Sequence, residues 1–322
     1  MPDTNTFPHK ITGGAAAPGR EFYSALDNSP FSNDLLVGFA QTAIENENLG
    51  ADADTDVLSV SFSANDYVGH RFGPYSQEVM DITLRTDQQI GTLLDFVNAK
   101  IGLQHTLVVF TADHGVAPIP EHAAAMGLTG GRIGNTDIMN AARNAVRARF
   151  GRKGEEKDAT ADYISEPFYN ANIFFNTVAL KRDGINREEL ERVVAEAVLT
   201  VPGISRAFTR TQLETGAIST GDVIARRVLH GFHPRLSGDV ILVQEPFKYF
   251  SEGLSPIPAT HGSPYTYDTH VPVVIMGAGV PPGRYGQPAT PADIAPTLSA
   301  LLRIVAPSNS TGRVLIEGLS QK

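Results

Sequence analysis

Apolar residues recur at helical spacing in some stretches of the chain and run almost unbroken in others. Between Asn33 and Leu49 they fall at Leu35, Leu36, Phe39, Ala43 and Ile44, as on one side of a helix. A second helix is predicted from Ser76 to Ile101, with Val79, Ile82, Ile90, Leu93, Leu94 and Val97 on one side. Pro74 before it and Gly102 after it suit the two ends of a helix. Short β-prone runs come after each helix, Val57–Phe62 and Thr106–Thr111. The same kind of run returns late, at Asp239–Val243 and Val271–Met276, before a closing helix from Ala292 to Leu302. Strands apolar at nearly every position, alternating with helices, predict a mostly parallel sheet flanked by helices.

Residues 127–236 differ in character. They hold a helix rich in Arg and Ala (Thr136–Arg149), a strand (Ala171–Asn176) and an amphipathic helix (Arg187–Leu199). The expected organisation is an α/β core in two parts, 1–126 and 237–322, with an inserted α+β cap subdomain at 127–236. Residues 1–33 are rich in Gly, Pro, Ala and Ser, more like an interior loop than a first strand.

Composition narrows the function. The chain has 322 residues, 42% of them hydrophobic, which is ordinary for a globular protein. A net charge of −9 and no run of five basic residues argue against a nucleic-acid-binding face. The densest basic cluster, Arg147, Arg149, Arg152 and Lys153, reads as a solvated helix end. There is no cysteine, which excludes disulfides, Cys-zinc sites and thiol nucleophiles. No apolar run approaches the roughly 18–20 residues of a membrane span. The N-terminal residues lack the basic and apolar regions of a signal peptide, so the chain as written is expected to stay in the cytoplasm. The sequence carries neither a Gly-x-Ser-x-Gly elbow nor a His-Glu-x-x-His motif.

Ligands of α/β sheets bind beyond the carboxyl ends of strands, so the residues flanking each strand are the test. After the first comes Asn65-Asp66-Tyr67-Val68-Gly69-His70, after the second Ala112-Asp113-His114-Gly115, and before the last Thr260-His261-Gly262-Ser263. Asp66 and His70 are four apart, so a helical turn would set both on one face. Asp113 and His114 can diverge from a tight turn that Gly115 permits. Each pair alone is equally readable as a helix cap or a hydrogen-bonded turn. Together they are the carboxylate and imidazole ligands left for Zn²⁺ once sulfur is excluded.

Asp66-Tyr67-Val68-Gly69-His70-Arg71-Phe72-Gly73-Pro74, Thr111–Gly115, Thr260–Pro264 and Tyr267–Pro272 together resemble the alkaline phosphatase superfamily. Thr290–Leu298 resembles its C-terminal helix, and the similarity runs from about residue 20 onward. The nearest branch is the phosphate-irrepressible alkaline phosphatases, close to type I phosphodiesterases and nucleotide pyrophosphatases. The resemblance implies a zinc-dependent phosphoric ester hydrolase, most simply a monoesterase, with phosphodiesterase as the alternative. It implies one zinc on Asp66, His70 and His261, with His270 as the substitute third histidine, and a second zinc partly held by Asp113 and His114. The family's Thr or Ser nucleophile and its export signal precede the matching region. Thr4, Thr6 and Thr12 sit in a Gly/Pro-rich stretch with no strand before them, and none is assigned that role. The expectation is a truncated chain from an exported, periplasmic parent, retaining one largely complete zinc site. A non-catalytic metal-binding fragment is the rival. Substrate and metal identity and oligomeric state are not legible.

Overall fold

A computed structural model describes residues 9, 11, 12, 14, 16–151, 163–219, 221–251 and 258–319. Thr4, Thr6, Arg152 and Lys153 lie outside the described residues. The chain divides into two compact units, 1–115 with 270–322, and 116–269.

The first unit opens with helices α1 (Arg20–Asp27), α2 (Phe31–Asn46), α3 (Ala64–Phe72) and α4 (Gln77–Lys100), then strand β1 (Leu107–Thr111). The helical spacing of the sequence is realised in α2 and α4. Ser76 caps α4, its hydroxyl accepting from the Val79 backbone N–H at 3.1 Å. Val57–Phe62 is not a strand: it has no regular structure, and Val57 is 81% exposed. A β-prone run becomes a strand only where a neighbour takes its backbone hydrogen bonds, and no described strand pairs with it.

The second unit runs through α5 (Pro120–Ala125), β2 (Gly131–Gly134), α6 (Asn135–Phe150), β3 (Ile164–Tyr169), β4 (Asn172–Phe175), α7 (Thr177–Asp183) and α8 (Arg187–Val198). It continues with β5 (Ile204–Thr209), α9 (Arg210–Thr215), α10 (Val223–Gly231), β6 (Val240–Gln244), β7 (Lys248–Ser251) and α11 (Thr266–Thr269). The chain then returns to the first unit with β8 (Val273–Gly277) and α12 (Ile294–Leu302).

Helices and sheets mix as an α/β chain should, but strand direction departs from expectation. β1 pairs antiparallel with β8, from Leu107 opposite Gly277 to Thr111 opposite Val273. The sheet β3-β4-β6-β5 is antiparallel throughout, and the parallel pair among the described residues is β2 with β7. β6, expected among the core strands, lies inside that four-stranded sheet of the second unit. Val240 and Val243 are fully buried there. A continuous apolar run reports burial on both faces, which a covered antiparallel sheet supplies as well as a parallel one.

The core of the second unit packs α6 and α8 on this sheet through Ile138, Val146, Leu190, Val194, Val198 and Ile173. Asn176, Asn186, Thr209 and Asp222 cap α7, α8, α9 and α10 with their side chains. One carboxyl is buried among these apolar groups. Glu191 is fully buried and accepts from the Thr211 backbone N–H at 3.0 Å, with Arg187 at 3.5 Å. Burial pushes its pKa above the ordinary value, the nearby Asp239 carboxylate adds to the rise, and the Thr211 and Arg187 contacts oppose it.

A carboxyl whose folded pKa is raised favours folding while both states hold the proton. That contribution is present below the unfolded value and is lost as pH rises through the folded one. Glu191→Gln keeps an acceptor for Thr211 and removes the buried charge. Its stability relative to the unaltered chain is therefore expected to improve in urea unfolding as pH rises from the ordinary carboxyl value of 4.5 through the raised folded one, and then to level off. A difference independent of pH would show that Glu191 does not titrate across that range.

Candidate metal centre

α3 carries Asp66 and His70 one turn apart, and His70 Nε2 lies 3.4 Å from Asp66 Oδ2. The opposite side of α3 holds it in place, with Ala64 and Val68 packed on Ile82 and flanked by Phe72 and Val79. Its first turn is tied to two other helices by polar side chains. Asn65 Oδ1 accepts from Asn33 Nδ2 at 3.1 Å and from Thr86 Oγ1 at 2.9 Å. Asn33 also donates to Thr86 at 3.1 Å and is only 1% exposed. A satisfied buried network of this kind fixes how α3 sits against α2 and α4. Gly73, at φ 83°, closes the helix by donating its N–H to the Gly69 carbonyl at 2.8 Å.

The second pair lies just beyond β1. Thr111 Oγ1 donates to the Pro272 carbonyl at 2.9 Å, tying the strand's end to the chain entering β8. Asp113 Oδ1 accepts from the His114 backbone N–H at 3.1 Å. His114 Nε2 lies 3.5 Å from Asp113 Oδ2 and 3.9 Å from Asp66 Oδ1. The other ring nitrogen, Nδ1, is 2.9 Å from the Gly115 carbonyl. A carbonyl only accepts, so Nδ1 is the donor in this contact and Nε2 is the nitrogen turned toward the carboxylates, the orientation a ligating histidine uses.

Asp66 thus presents one carboxylate oxygen to His70 and the other to His114, and residues far apart in sequence meet in the first unit. Donors around a tetrahedral zinc at about 2.0–2.1 Å stand about 3.3 Å from one another. The separations of 3.4 and 3.5 Å fit that spacing, and the donors are oxygen and nitrogen. The group is open to solvent, with the Asp66 side chain 42% and the Asp113 side chain 88% exposed.

His261 belongs to the second unit, where Gly262 comes next at φ 105°. His270 is exposed, just before β8 in the first unit. Sequence reasoning did not single out Asn33, Asn65, Thr86 or Asp268. For Asn33 a signal existed in an amide beside the apolar stripe of α2. Asp268 is buried, accepting from the Ser263 backbone N–H at 2.8 Å and from its hydroxyl at 2.6 Å. No helix among the described residues is long and apolar enough to cross a membrane.

Residues 19–263 match the family described as type I phosphodiesterase / nucleotide pyrophosphatase. Alkaline phosphatase PhoV of Synechococcus elongatus is 31% identical over 317 residues, 98% of this chain and 53% of that protein. Alkaline phosphatase PafA of Elizabethkingia meningoseptica is 30% identical over 293 residues, 91% of this chain and 51% of that protein. A Myroides odoratus protein named calcium-transporting ATPase is 30% identical over 320 residues, 99% of this chain and 56% of that protein. The crystal structure of wild-type alkaline phosphatase PafA matches with a TM-score of 0.81 at 28% identity, covering 92% of this chain and 54% of that one. The chain spans about half the length of the curated relatives it matches.

Proposed function

Because the chain belongs to the type I phosphodiesterase / nucleotide pyrophosphatase family of the alkaline phosphatase superfamily, we propose that it is the metal-binding part of a zinc-dependent phosphoric monoester hydrolase. The observation that carries the reading is the meeting of Asp66, His70, Asp113 and His114, whose spacing suits a small divalent cation.

In this reading Asp66 and His70 hold one zinc, with His261 as third ligand and His270 as its substitute, and Asp113 with His114 holds part of a second. Bound zinc would supply positive charge for a phosphoryl oxygen and bring a bound water's pKa toward neutrality. The residues of this chain do the orienting. The α3 surface presents Asp66 and His70 together, and the Gly115 carbonyl holds the His114 ring in a ligating orientation. No Thr or Ser of residues 1–322 is assigned as nucleophile, and the reading gives that role to a segment outside them. The cap between the core segments is assigned the choice of substrate, and the complete enzyme is read as exported.

A phosphodiester substrate is the second reading, favoured by the family's own description. Binding separates the two: titration of the zinc-loaded chain with phenyl phosphate should give the stronger signal for a monoesterase, and diphenyl phosphate for a diesterase.

The reading itself is tested by loading the chain with zinc and measuring bound metal beside hydrolysis of p-nitrophenyl phosphate. The expected result is about one tightly held zinc per chain and negligible turnover. Turnover that survives replacement of Thr4, Thr6 and Thr12 would overturn the assignment of the nucleophile to another segment. No bound metal would overturn the zinc reading.

A further inference from the structure

We propose that Asp268 is a positioning residue for His261, holding the Thr260–Ser263 turn in the conformation that offers the imidazole to a metal. The inference rests on the reading of His261 as a ligand.

On one side of His261 the Thr260 backbone bonds the Tyr249 hydroxyl; on the other comes a glycine. Gly262 stands at φ 105°, and a Cβ built there would meet no atom within 4 Å. Gly262 thus has no side chain to pack, and glycine has the widest backbone freedom of any residue. On this side a restraint comes one residue later. Ser263 is buried and gives both its backbone N–H and its hydroxyl to one oxygen of Asp268, at 2.8 and 2.6 Å. Hydrogen bonds to a carboxylate are the stronger kind, and Asp268 is itself only 4% exposed.

The far side of the clamp is anchored independently. Arg227 of α10 donates to the Pro264 carbonyl at 2.6 Å, and the Tyr265 hydroxyl donates to the Gln244 carbonyl at the end of β6 at 2.7 Å. The Tyr267 hydroxyl accepts from the Phe247 backbone N–H at 3.1 Å. Asp268 is thus fixed by its neighbours to the sheet and α10, all inside the second unit, and it passes that order on to Ser263. A buried carboxylate costs free energy to desolvate, and its Oδ2 bonds both go to the residue two beyond His261. An aspartate that only stabilised the fold would have no bearing on the metal, which is what the test exploits.

The measurement is zinc affinity by competition with a chromophoric chelator, together with the visible spectrum of the cobalt(II)-loaded chain. Asp268→Asn is expected to weaken zinc binding about 10–100-fold, the usual cost of losing a group that orients a ligand, and to change the cobalt absorption. Ser263→Ala, which keeps the carboxylate and the backbone bond, should weaken it by less. Asn186→Ala removes the cap of α8 in the same unit and should lower the melting temperature without moving affinity or spectrum. His261→Ala fixes the scale. Unchanged affinity and spectrum in Asp268→Asn, with loss in His261→Ala, overturn the positioning role and leave the ligand reading standing. Unchanged affinity in His261→Ala overturns the ligand reading instead. Should Asp268→Asn fail to fold, Ser263→Ala decides, and wild-type affinity and spectrum in that variant overturn the proposal.

Discussion

Replacing Asp66 with alanine is expected to lower zinc affinity by more than about 100-fold, beyond the range that supporting residues command. The two oxygens of Asp66 face different histidines, Oδ2 toward His70 Nε2 at 3.4 Å and Oδ1 toward His114 Nε2 at 3.9 Å. Its loss removes the one carboxylate common to both, leaving His70 without this carboxylate and His114 with Asp113 alone. The fold should hardly notice. Asp66 is on the partly exposed side of α3, while Ala64, Val68 and the Asn33–Asn65–Thr86 network keep the helix in place. Away from buried features, substitutions usually stay within about 0.5 kcal/mol of the parent. The metal-free variant should therefore melt close to the metal-free parent, while the rise in melting temperature that zinc gives the parent disappears. A chelator competition checks the affinity directly. Retained affinity in Asp66→Ala would exclude Asp66 as a ligand and leave Asp113 and His114 as the centre.

The proximity of Asp66, His70 and His114 was more legible in the sequence than the topology of the sheets. Asp66 and His70 could be paired by counting, because a helix repeats its faces every three to four residues. The spacing also located α2, α4, α6 and α8, where one apolar side had to meet a core. Strands gave less. Val240 and Val243 announce burial, but nothing local in that run says that its neighbours are β4 and β5 rather than β1. Val57–Phe62 has the composition of a strand and no described partner, a property of the remainder of the fold rather than of those residues. The meeting of Asp66 with His114 was inferred from where ligands bind on α/β sheets, and the carbonyl of Gly115 that orients the His114 ring is a backbone contact no side-chain pattern reports. Asp268 was hidden for a similar reason, since its partner Ser263 lies five residues back across a turn with no repeat.

The second large effect is expected at Asp239, where alanine should destabilise the second unit by about 3–5 kcal/mol, the cost of breaking a buried ion pair. Asp239 is nearly inaccessible and serves three elements at once, α8, α9 and β4. Oδ1 accepts from Arg187 of α8 through Nε at 2.7 Å and through Nη2, and Arg210 Nε of α9 stands 3.5 Å away. Oδ2 accepts from the Phe175 backbone N–H of β4 at 2.6 Å, while the Asp239 carbonyl accepts from the Arg210 N–H at 2.8 Å. Alanine keeps only the backbone bonds. It leaves a buried N–H at Phe175 without its acceptor and removes one of the two carboxylates beside the buried Arg210 guanidinium, Glu214 at 3.3 Å being the other. Arg210 retains the Pro234 and Ser237 carbonyls, which limit the loss. For a unit of this size each kcal/mol moves the melting midpoint by about 2–4 °C, so a fall of about 6–20 °C is expected. Asp239→Asn preserves an acceptor for Phe175 and should cost less than alanine, the difference measuring the charge. Any zinc affinity of the chain should be unchanged while Asp239→Ala remains folded, because Asp239 is not among the proposed ligands. A fall below about 1 kcal/mol would mean that the charge network is replaceable by water and that the core of α6, α8 and the sheet carries this unit alone.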